Sequence, residues 1–361
     1  MSARVLIIAG GTGGHVFPAL AVAEVLRAQG FEVLWMGTRA GLEAEVVPKA
    51  GIPISFIAIS GLRGKGWISW LLAPYKLSIA FFQSLLLITK LKPALVLGMG
   101  GFVSGPGGFS AWLLDKPLII HEQNAVPGLT NRLLARLATK VLEGFPGSFP
   151  AERQAVHTGN PVRAAIAALP APHQRLRERS GPLRLLVLGG SLGAQALNEL
   201  VPKSLQGLRS EQRPEVWHQT GTRNSQAAEY LYRQSAIHAR LSPFIEDMAA
   251  AYAWADLVLC RAGALTIAEL ACAGVASILV PYPHAADNHQ TYNARYLADA
   301  GAAILVPQVQ LTPSYLAQLL ARFHKSPDRL LDMAEAARDR ALPDAASKVA
   351  ALCKELAHEP A

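Results

Sequence analysis

The chain has 361 residues, more than one hydrophobic core usually supports, so two domains are expected. Its formal net charge of +8 suits anionic partners, whether nucleic acid, phosphorylated small molecules or acidic lipid. Three cysteines, Cys260, Cys272 and Cys353, form neither a pairable set nor a close-spaced ligand cluster, which argues against a disulfide or zinc framework and favours a reducing compartment.

Apolar runs alternate with helical patterns along the first half of the chain. The runs predict strands at 4–9, 32–37, 54–59, 94–98, 118–121 and 140–143. Helices are predicted between them, among them 18–29 and 129–138. No secretory signal is expected, because the sequence enters a strand-like run directly. The alternation predicts a parallel sheet with helices on both faces.

The same pattern restarts after proline-containing segments at 146–150 and 161–172, which mark a domain boundary. The segment "LRLLVLGGSLGAQALNEL" predicts a strand at 183–188, a glycine-rich turn and a helix from about Ala194. Further strands are predicted at 215–218, 256–260, 277–280 and 303–306, and a last helix pair at 326–357. Both halves therefore predict Rossmann-like domains.

Three glycine-rich turns, at 10–15, 98–108 and 189–194, each follow a predicted strand and open a helix. Such turns direct backbone N–H groups and a helix dipole at an anion. The first, "GGTGGHVF", lacks the lysine of a P-loop and departs from the dinucleotide fingerprint at Val16, although Arg39 leaves an NADP enzyme open. Two such domains are the layout of GT-B glycosyltransferases, and no D-x-D triplet supports the metal-anchored alternative.

No Asp or Glu occurs from Val46 to Leu114, and this span contains the most apolar run, "WISWLLAPYKLSIAFFQSLLLI". Pro74 and Lys76 at its centre argue against a bilayer-spanning helix. Pro74 instead predicts a helix start. The helix carries more apolar residues than one core-facing stripe needs, so an interfacial membrane contact and burial between protein layers both stay open.

Seven motifs together resemble the MurG family: "GGTGGHVFPALAVAEVL", "GLRGKG", "GMGGFVSGPGG", "HEQN", "GNPVR", "GGSLGA" and "CRAGALTIAELACAG". The resemblance runs from about residue 4 to residue 350. It implies a GT-B fold, with two Rossmann-like domains whose parallel sheets face each other across a cleft. Residues 1–160 would bind the acceptor and the membrane, residues 161–340 would bind UDP-N-acetylglucosamine, and a C-terminal helix in 341–361 would pack back on the first domain.

The resemblance implies an inverting, metal-independent transfer of N-acetylglucosamine to undecaprenyl-diphosphate-linked muramoyl-pentapeptide. The residues expected at the donor are Thr12, Gly13, Gly14, Asn124, Arg163, Ser191, Ile245, Ala264, Leu265, Thr266, Ile267, Ala268, Glu269 and Gln290. Those expected at the acceptor diphosphate are Gly11, Gly14, His15, Gly100, Gly101, Ser104 and Gly105. Without the resemblance, the pattern around Glu269 favours an ordinary solvated helix face.

An inverting displacement needs one general base. His15 is the candidate, because a helix N-terminus disfavours the imidazolium and keeps a proton-accepting ring. Glu122 of "HEQN" is the alternative base. A non-catalytic role of His15, in which it only caps its helix or hydrogen-bonds the acceptor diphosphate, also stays open. His121, His284 and His289 lie inside the motifs and are expected to orient ligands. No cofactor, and no essential metal, is expected.

The polyprenyl acceptor implies a peripheral enzyme on the cytoplasmic face of the bacterial inner membrane. The predicted membrane patch is Lys65, Trp67, Leu71, Leu72, Tyr75, Lys76, Ile79, Phe82 and Lys90. The expected partners are UDP-N-acetylglucosamine, the lipid-linked acceptor, anionic phospholipid and other cell-wall synthesis proteins, with no nucleic acid. The competing hypotheses are a glycosyltransferase with a sterol, antibiotic or diacylglycerol acceptor, an NADP oxidoreductase, and a membrane-attached protein that binds nucleotide without turnover.

Overall fold

The structure is a computed structural model that describes residues 3–59, 72–177, 179–190 and 193–358. The chain divides into two compact units. Unit 1 comprises Met1–Arg163 and Asp344–Ala361, and unit 2 comprises Ala164–Pro343. The chain thus leaves unit 1 after Arg163 and returns to it at Asp344.

Unit 1 is built on a parallel sheet of seven strands. In chain order the strands are β1 Arg4–Ile8, β2 Glu32–Gly37, β3 Ile54–Phe56, β4 Leu95–Gly98, β5 Leu118–Glu122, β6 Lys140–Glu143 and β7 Val156–His157. Their order across the sheet is β3-β2-β1-β4-β5-β6-β7. All six predicted strands of this half are present, and β7, a two-residue edge strand with exposed side chains, was not predicted.

The apolar run of β1 explains why it lies in the middle of this sheet. Its side chains alternate between two cores: Val5 and Ile7 join one cluster, Leu6 and Ile8 the other. A strand buried on both faces reads as a continuous apolar run, as this one does. Register pairs Ile8 with Gly98, so the loops after β1 and β4 emerge side by side. The strand order reverses between these strands, which is where open α/β sheets bind ligands.

The described helices of unit 1 cover both faces of the sheet. They are α1 Gly13–Ala28, α2 Glu43–Lys49, α3 Ala73–Leu91, α4 Ser104–Leu113, α5 Leu129–Leu134 and, after unit 2, α15 Ala345–His358. Helix α1 begins five residues before the predicted start at Pro18, because a proline this near the N-terminus removes only the bond to the Gly14 carbonyl. Helix α5 is shorter than the predicted 129–138, because tighter turns continue the chain beyond Leu134.

Helix α15 completes the core of unit 1. It packs on α1, and Val349, Ala350, Cys353 and Leu356 enter the same buried cluster as Val5 and Ile7. The spacing of these four residues places them on one helical face. Helix α3 carries Pro74 in its first turn, as predicted. None of the helices in the described ranges combines the length and apolarity that crossing a bilayer requires.

Unit 2 contains a parallel sheet of six strands. They are β8 Arg184–Leu188, β9 Glu215–Gln219, β10 Arg240–Ser242, β11 Leu257–Cys260, β12 Ala276–Leu279 and β13 Ala303–Leu305, in the order β10-β9-β8-β11-β12-β13. The short edge strand β10 was not predicted. Register pairs Leu188 with Cys260, so the loops after β8 and β11 emerge together at the second point of strand-order reversal. Two parallel-sheet domains confirm the predicted fold class.

The described helices of unit 2 lie before, between and after these strands. They are α6 Ala164–Ala167, α7 Pro172–Leu176, α8 Gln195–Gln206, α9 Ser225–Gln234, α10 Met248–Trp254, α11 Ala264–Ala273, α12 His289–Ala298, α13 Pro313–Lys325 and α14 Pro327–Asp339. A separate core of leucine, valine and isoleucine side chains fills this unit.

Candidate active site

The loops after β1 and β4 touch through glycines. Gly101 has φ +84°, and a Cβ on it would lie 2.3 Å from the carbonyl oxygen of Gly10. Gly100 has φ +92°, and a Cβ there would lie 2.5 Å from Nδ1 of His15. Side chains are therefore excluded at both positions by conformation and by space. The predicted acceptor-diphosphate glycines thus lie together at the carboxyl edge of the sheet.

The helices that open from these loops suit an anion. Helices α1 and α4 carry no acidic residue in their first turns. Ser104, at the start of α4, was predicted to contact the diphosphate directly, but its surroundings in the structure do not favour such a contact. Its hydroxyl is fully buried, 2.8 Å from the carbonyl oxygen of Gly100 and 3.2 Å from that of Ile8. The Ser104 side chain therefore holds the loop in place, and its burial argues against contact with a ligand.

Glu43, which the sequence analysis missed, lies directly behind the first glycine loop. Its side chain is fully buried at the start of α2. The carboxylate accepts hydrogen bonds from the Gly11 N–H at 2.9 Å and from the Thr38 N–H and hydroxyl at 2.8 and 2.7 Å. The Gly11 N–H is thus engaged by the protein itself. In the sequence, its position two residues after Gly41 in "TRAGLE" is the signal that could have suggested a role for Glu43 near a turn.

His15, in the first turn of α1, makes its ring contact with a buried glutamine. Its Nδ1 lies 2.9 Å from Oε1 of Gln123. The Gln123 amide nitrogen lies 3.0 Å from the Met99 carbonyl oxygen and 3.2 Å from Nδ1 of His121. His121 Nε2 lies 2.9 Å from the Gly159 carbonyl oxygen, and burial lowers the pKa of His121 to about 4. His121 was expected to orient a ligand, but it is fully buried and contacts Gln123.

Glu122, the alternative base, is saturated with hydrogen bonds. Its oxygens accept from the N–H and side-chain amide of Asn124, at 2.9 and 3.1 Å. They also accept from the Gly128 N–H at 3.1 Å and the Asn131 amide at 3.0 Å. A carboxylate offers about four acceptor positions, and all are in use here. This arrangement favours a role for Glu122 in fixing Asn124 and disfavours one as a base.

Arg163 approaches the mouth of α1 within unit 1. Its guanidinium carbon lies 5.5 Å from the centre of the Phe17 ring. The same ring shields Gly13, because a Cβ on Gly13 would lie 2.9 Å from a Phe17 ring carbon. A fixed positive charge therefore lies near Gly13, which the resemblance assigns, with Thr12 and Gly14, to the donor.

In unit 2, Gly193 after β8 lies against the backbone that follows β9. A Cβ on Gly193, at φ +76°, would lie 2.1 Å from the Thr220 carbonyl oxygen. Ser191, the predicted donor-phosphate contact, lies outside the described residues. Gln219, which the sequence analysis missed, donates to the Gly190 carbonyl at 2.9 Å and accepts from the Ile245 N–H at 3.4 Å. This buried side chain ties the loop to the predicted uracil contact.

The other predicted donor residues begin two helices. Ala264 to Glu269 form the first turns of α11, whose first turn contains no acidic residue. Glu269 is 4% exposed and accepts a hydrogen bond from the Tyr252 hydroxyl at 3.1 Å, so the solvated-face interpretation is wrong. Gln290, in the first turn of α12, accepts from the Tyr282 N–H at 2.9 Å. Among the described residues, no group of three or more His, Cys, Asp or Glu is arranged to hold a metal.

Two family models match this chain. The glycosyltransferase family 28 N-terminal domain matches residues 5–143, and the glycosyltransferase family 28 C-terminal domain matches residues 184–349. These two domains identify the chain as a glycosyltransferase.

Similar proteins narrow the class. The chain is 58% identical over 357 residues to the UDP-N-acetylglucosamine–N-acetylmuramyl-(pentapeptide) pyrophosphoryl-undecaprenol N-acetylglucosamine transferase of Nitrosococcus oceani, covering 99% of both chains. The enzyme of that name from Alkalilimnicola ehrlichii is 57% identical over 98% of this chain and 99% of its own. The crystal structure of Acinetobacter baumannii MurG matches with a TM-score of 0.82 and 42% identity, covering 98% of this chain and 99% of its own. The chain belongs to the MurG family within glycosyltransferase family 28.

Proposed function

We propose that this enzyme transfers N-acetylglucosamine from UDP-N-acetylglucosamine to undecaprenyl-diphosphate-muramoylpentapeptide, lipid I. The acceptor is the C4 hydroxyl of the muramoyl sugar, and the β-1,4-linked product is lipid II, for peptidoglycan synthesis. The names of relatives at 57 and 58% identity support the substrates. The observation that carries the chemistry is the position of His15, at the mouth of α1 and against Gly100 of the second glycine loop.

The reaction is a single displacement. The acceptor C4 oxygen forms a bond to the anomeric carbon while the bond from that carbon to the UDP β-phosphate oxygen breaks. Nε2 of His15 takes the proton of the C4 hydroxyl, and UDP leaves on the opposite face. The loops containing Gly11, Gly14, Gly100, Gly101 and Gly105 hold the acceptor diphosphate, since α1 and α4 begin there with their positive dipole ends.

Unit 2 supplies most of the donor site. Backbone groups of the loop after β8, including the proposed contact at Ser191, meet the UDP diphosphate. Ile245 contacts uracil through its backbone, the first turns of α11 line the nucleotide, and the Glu269 carboxylate accepts from ribose hydroxyls. Gln290 reaches the sugar. Asn124, Arg163, Thr12, Gly13 and Gly14 of unit 1 are the other residues that we assign to the donor.

A transfer assay tests this function. The protein is incubated with labelled UDP-N-acetylglucosamine and a short-chain lipid I analogue, with and without a chelator, and the products are separated. We expect a labelled disaccharide-lipid in both arms. Labelled product on a sterol, antibiotic or diacylglycerol acceptor but not on the lipid I analogue would overturn the assignment. UDP binding with no sugar transfer would support the non-catalytic alternative.

The role of His15 has its own test. His15→Ala removes the proton acceptor. General base catalysis is typically worth 10²- to 10⁴-fold in rate, so kcat should fall by a factor in that range. The affinity for UDP-N-acetylglucosamine should stay unchanged. The control is His238→Ala, an exposed histidine of unit 2, which should keep full activity. Turnover at the wild-type rate in His15→Ala would reject the base assignment.

The enzyme works, in this proposal, as a peripheral protein on the cytoplasmic face of the inner membrane. Support comes from an apolar face on α3 and α4, defined by Tyr75, Phe82, Leu86, Phe109 and Trp112, all 42 to 69% exposed. Aromatic contacts connect the two helices within this face. The ring centroid of Phe81 lies 5.4 Å from that of Phe82 and 5.5 Å from that of Phe109, and the Phe109 centroid lies 5.4 Å from that of Trp112. So large an exposed apolar surface is typical of an interaction site.

The predicted membrane patch overlaps this apolar face only in part. Leu72 is 43% exposed, whereas Lys76 and Ile79 are half-buried and Lys90 is exposed. Lys65, Trp67 and Leu71 lie outside the described residues. Phe109 and Trp112 of α4 were not predicted, because the membrane patch was assigned to residues 64 to 90, before α4. The lysines meet anionic headgroups while the aromatic side chains enter the interface. Other cell-wall synthesis proteins remain proposed partners.

A further inference from the structure

The contacts of His121 determine which of its ring nitrogens is protonated. Its Nε2 faces the Gly159 carbonyl oxygen at 2.9 Å, and a carbonyl only accepts, so Nε2 carries a proton. The side chain is fully buried, and burial lowers the pKa of His121 to about 4. The ring is therefore neutral near pH 7, and its Nδ1 has a lone pair that accepts a hydrogen bond.

The lone pair of His121 fixes the orientation of the Gln123 amide. The atom of this amide that faces His121 Nδ1, at 3.2 Å, also faces the Met99 carbonyl oxygen, at 3.0 Å. Both partners accept, so this atom is the NH₂ group, which has two protons to donate. The reverse orientation would set an oxygen against two acceptors inside the core, because Gln123 is only 1% exposed. Oε1 is thereby directed at His15.

The orientation of Gln123 in turn decides which nitrogen of His15 is protonated. Oε1 lies 2.9 Å from Nδ1 of His15 and can only accept. Nδ1 therefore carries the proton, and in a neutral imidazole the lone pair is on Nε2. The backbone of Gly100 lies close to the Nδ1 side of the ring, since a Cβ on Gly100 would lie 2.5 Å from that atom. The ring is confined in position as well as in tautomer.

We propose that Gln123, oriented by His121, is a positioning residue that holds His15 in the Nδ1–H tautomer and so presents Nε2 as the proton acceptor. The proposal rests on the proposed function for the identity of the proton that Nε2 receives. It uses a neutral amide where many enzymes place a carboxylate behind the catalytic histidine. The ring is oriented without a buried negative charge beside an anionic substrate.

The test measures the tautomer directly. Protein with ¹⁵N-labelled histidine is studied by NMR near pH 8, and the His15 signals are assigned by their loss in His15→Gln. We expect the Nδ1 of His15 to show the shift of a protonated nitrogen and Nε2 that of an unprotonated one. The opposite pattern in the wild-type protein would overturn the proposal, whether or not any variant folds.

Substitution then separates positioning from a general structural effect. In Gln123→Met, which has a similar shape but no amide, the His15 signals should shift to a mixture of tautomers. The kcat should fall at least tenfold while KM for UDP-N-acetylglucosamine stays within twofold. Gln29→Met, at an exposed position after α1, is the matched control and should change neither quantity. An unchanged tautomer, or an unchanged kcat, in Gln123→Met would contradict the proposal.

The two proposals fail in different ways. The tautomer of the wild-type protein is measured without substrate, so it does not depend on turnover. A wild-type protein that shows the expected tautomer but transfers no sugar would overturn the proposed function and leave the tautomer assignment standing. A protein that makes lipid II with the Nε2–H tautomer would overturn the positioning role, and with it Nε2 as the proton acceptor, but would leave the transfer reaction standing.

Discussion

The carboxylate of Glu43 accepts a hydrogen bond from the backbone N–H of Gly11 at 2.9 Å, joining helix α2 to the first glycine loop. Three protein donors converge on this buried side chain. In Glu43→Gln an amide N–H would face one of these donors, and the cost of a buried unsatisfied group is about 1–3 kcal/mol. We expect urea denaturation to show a free energy of unfolding lower by that amount, and activity to fall as the loop loosens.

Glu45→Gln is the control for this change. Glu45 lies in the same helix, but its side chain is 67% exposed and pairs with Lys49. Exposed ion pairs contribute little to stability, so Glu45→Gln should leave the free energy of unfolding almost unchanged. Equal losses in the two variants would show that Glu43 does not hold the loop.

Gly100→Ala should act on the imidazole that it touches. The new Cβ would meet Nδ1 at 2.5 Å and Cε1 at 2.8 Å of the His15 ring, so the ring must move. Displacing a reacting group by about 1 Å can cost about 100-fold in rate, and we expect kcat to fall by that order. Steady-state kinetics with saturating donor measures it.

Gly30→Ala separates the displacement of His15 from backbone strain. Gly30 has φ +88°, close to the +92° of Gly100, but a Cβ there meets nothing within 4 Å. Both variants should lose about 1 kcal/mol or more of stability, because alanine is strained at positive φ. Only Gly100→Ala should lose kcat, and a full-rate Gly100→Ala enzyme would contradict the assignment.

The apolar face of α3 and α4 should bind lipid. Phe82→Ser and Leu86→Ser each remove a side chain that is at least 60% exposed, so neither change should disturb the core. Burying a Phe or Leu side chain is worth about 1.5–3 kcal/mol. Sedimentation with phosphatidylglycerol vesicles should therefore show at least about tenfold weaker binding for each variant. Ile79 is less suitable because it is half-buried.

Val309→Ser is the matched control for lipid binding, since Val309 is 86% exposed on unit 2. It should sediment with vesicles as the unmodified protein does. Equal binding by Phe82→Ser, Leu86→Ser and Val309→Ser would exclude the apolar face as the membrane contact.

His218 should make unit 2 sensitive to acid. It is fully buried, its Nδ1 lies 2.9 Å from the Tyr232 hydroxyl, and burial lowers the pKa of His218 to about 3. The unfolded chain binds this proton near pH 6.5 and the folded chain does not. The stabilisation is therefore complete above pH 6.5 and is lost as the pH falls toward 3.

His218→Phe removes the titrating group from this position. Between pH 7 and pH 5 the unfolding free energy of the unmodified protein should fall by about 2 kcal/mol more than that of His218→Phe, measured by urea denaturation. His238→Gln, at an exposed histidine, should keep the pH dependence of the unmodified protein. Parallel curves for the unmodified protein and His218→Phe would show that His218 does not carry this effect.

The sequence predicted the features that depend on local pattern. The central strands β1, β4, β8 and β11 have continuous apolar runs, and the glycine loops and His15 stand within single motifs. The edge strands β7 and β10 were missed because two or three residues carry too little pattern.

The missed site residues depend on contacts made far along the chain. Glu43 is defined by its bond to Gly11, 32 residues away, and Gln123 by a ring 108 residues away. For Glu269, the helix pattern suggested solvent, and burial comes from packing against Tyr252. Such roles follow from tertiary contacts, which a single motif does not contain.

Helix α15 adds a constraint on biosynthesis. The ribosome synthesises all of unit 2 before it synthesises α15, which packs on α1. During most of translation the apolar residues of α1 therefore lack their native contacts with α15. Unit 2, whose residues form one uninterrupted stretch, can mature first. The hydrophobic core of unit 1 is therefore completed only after unit 2 and α15 have been synthesised.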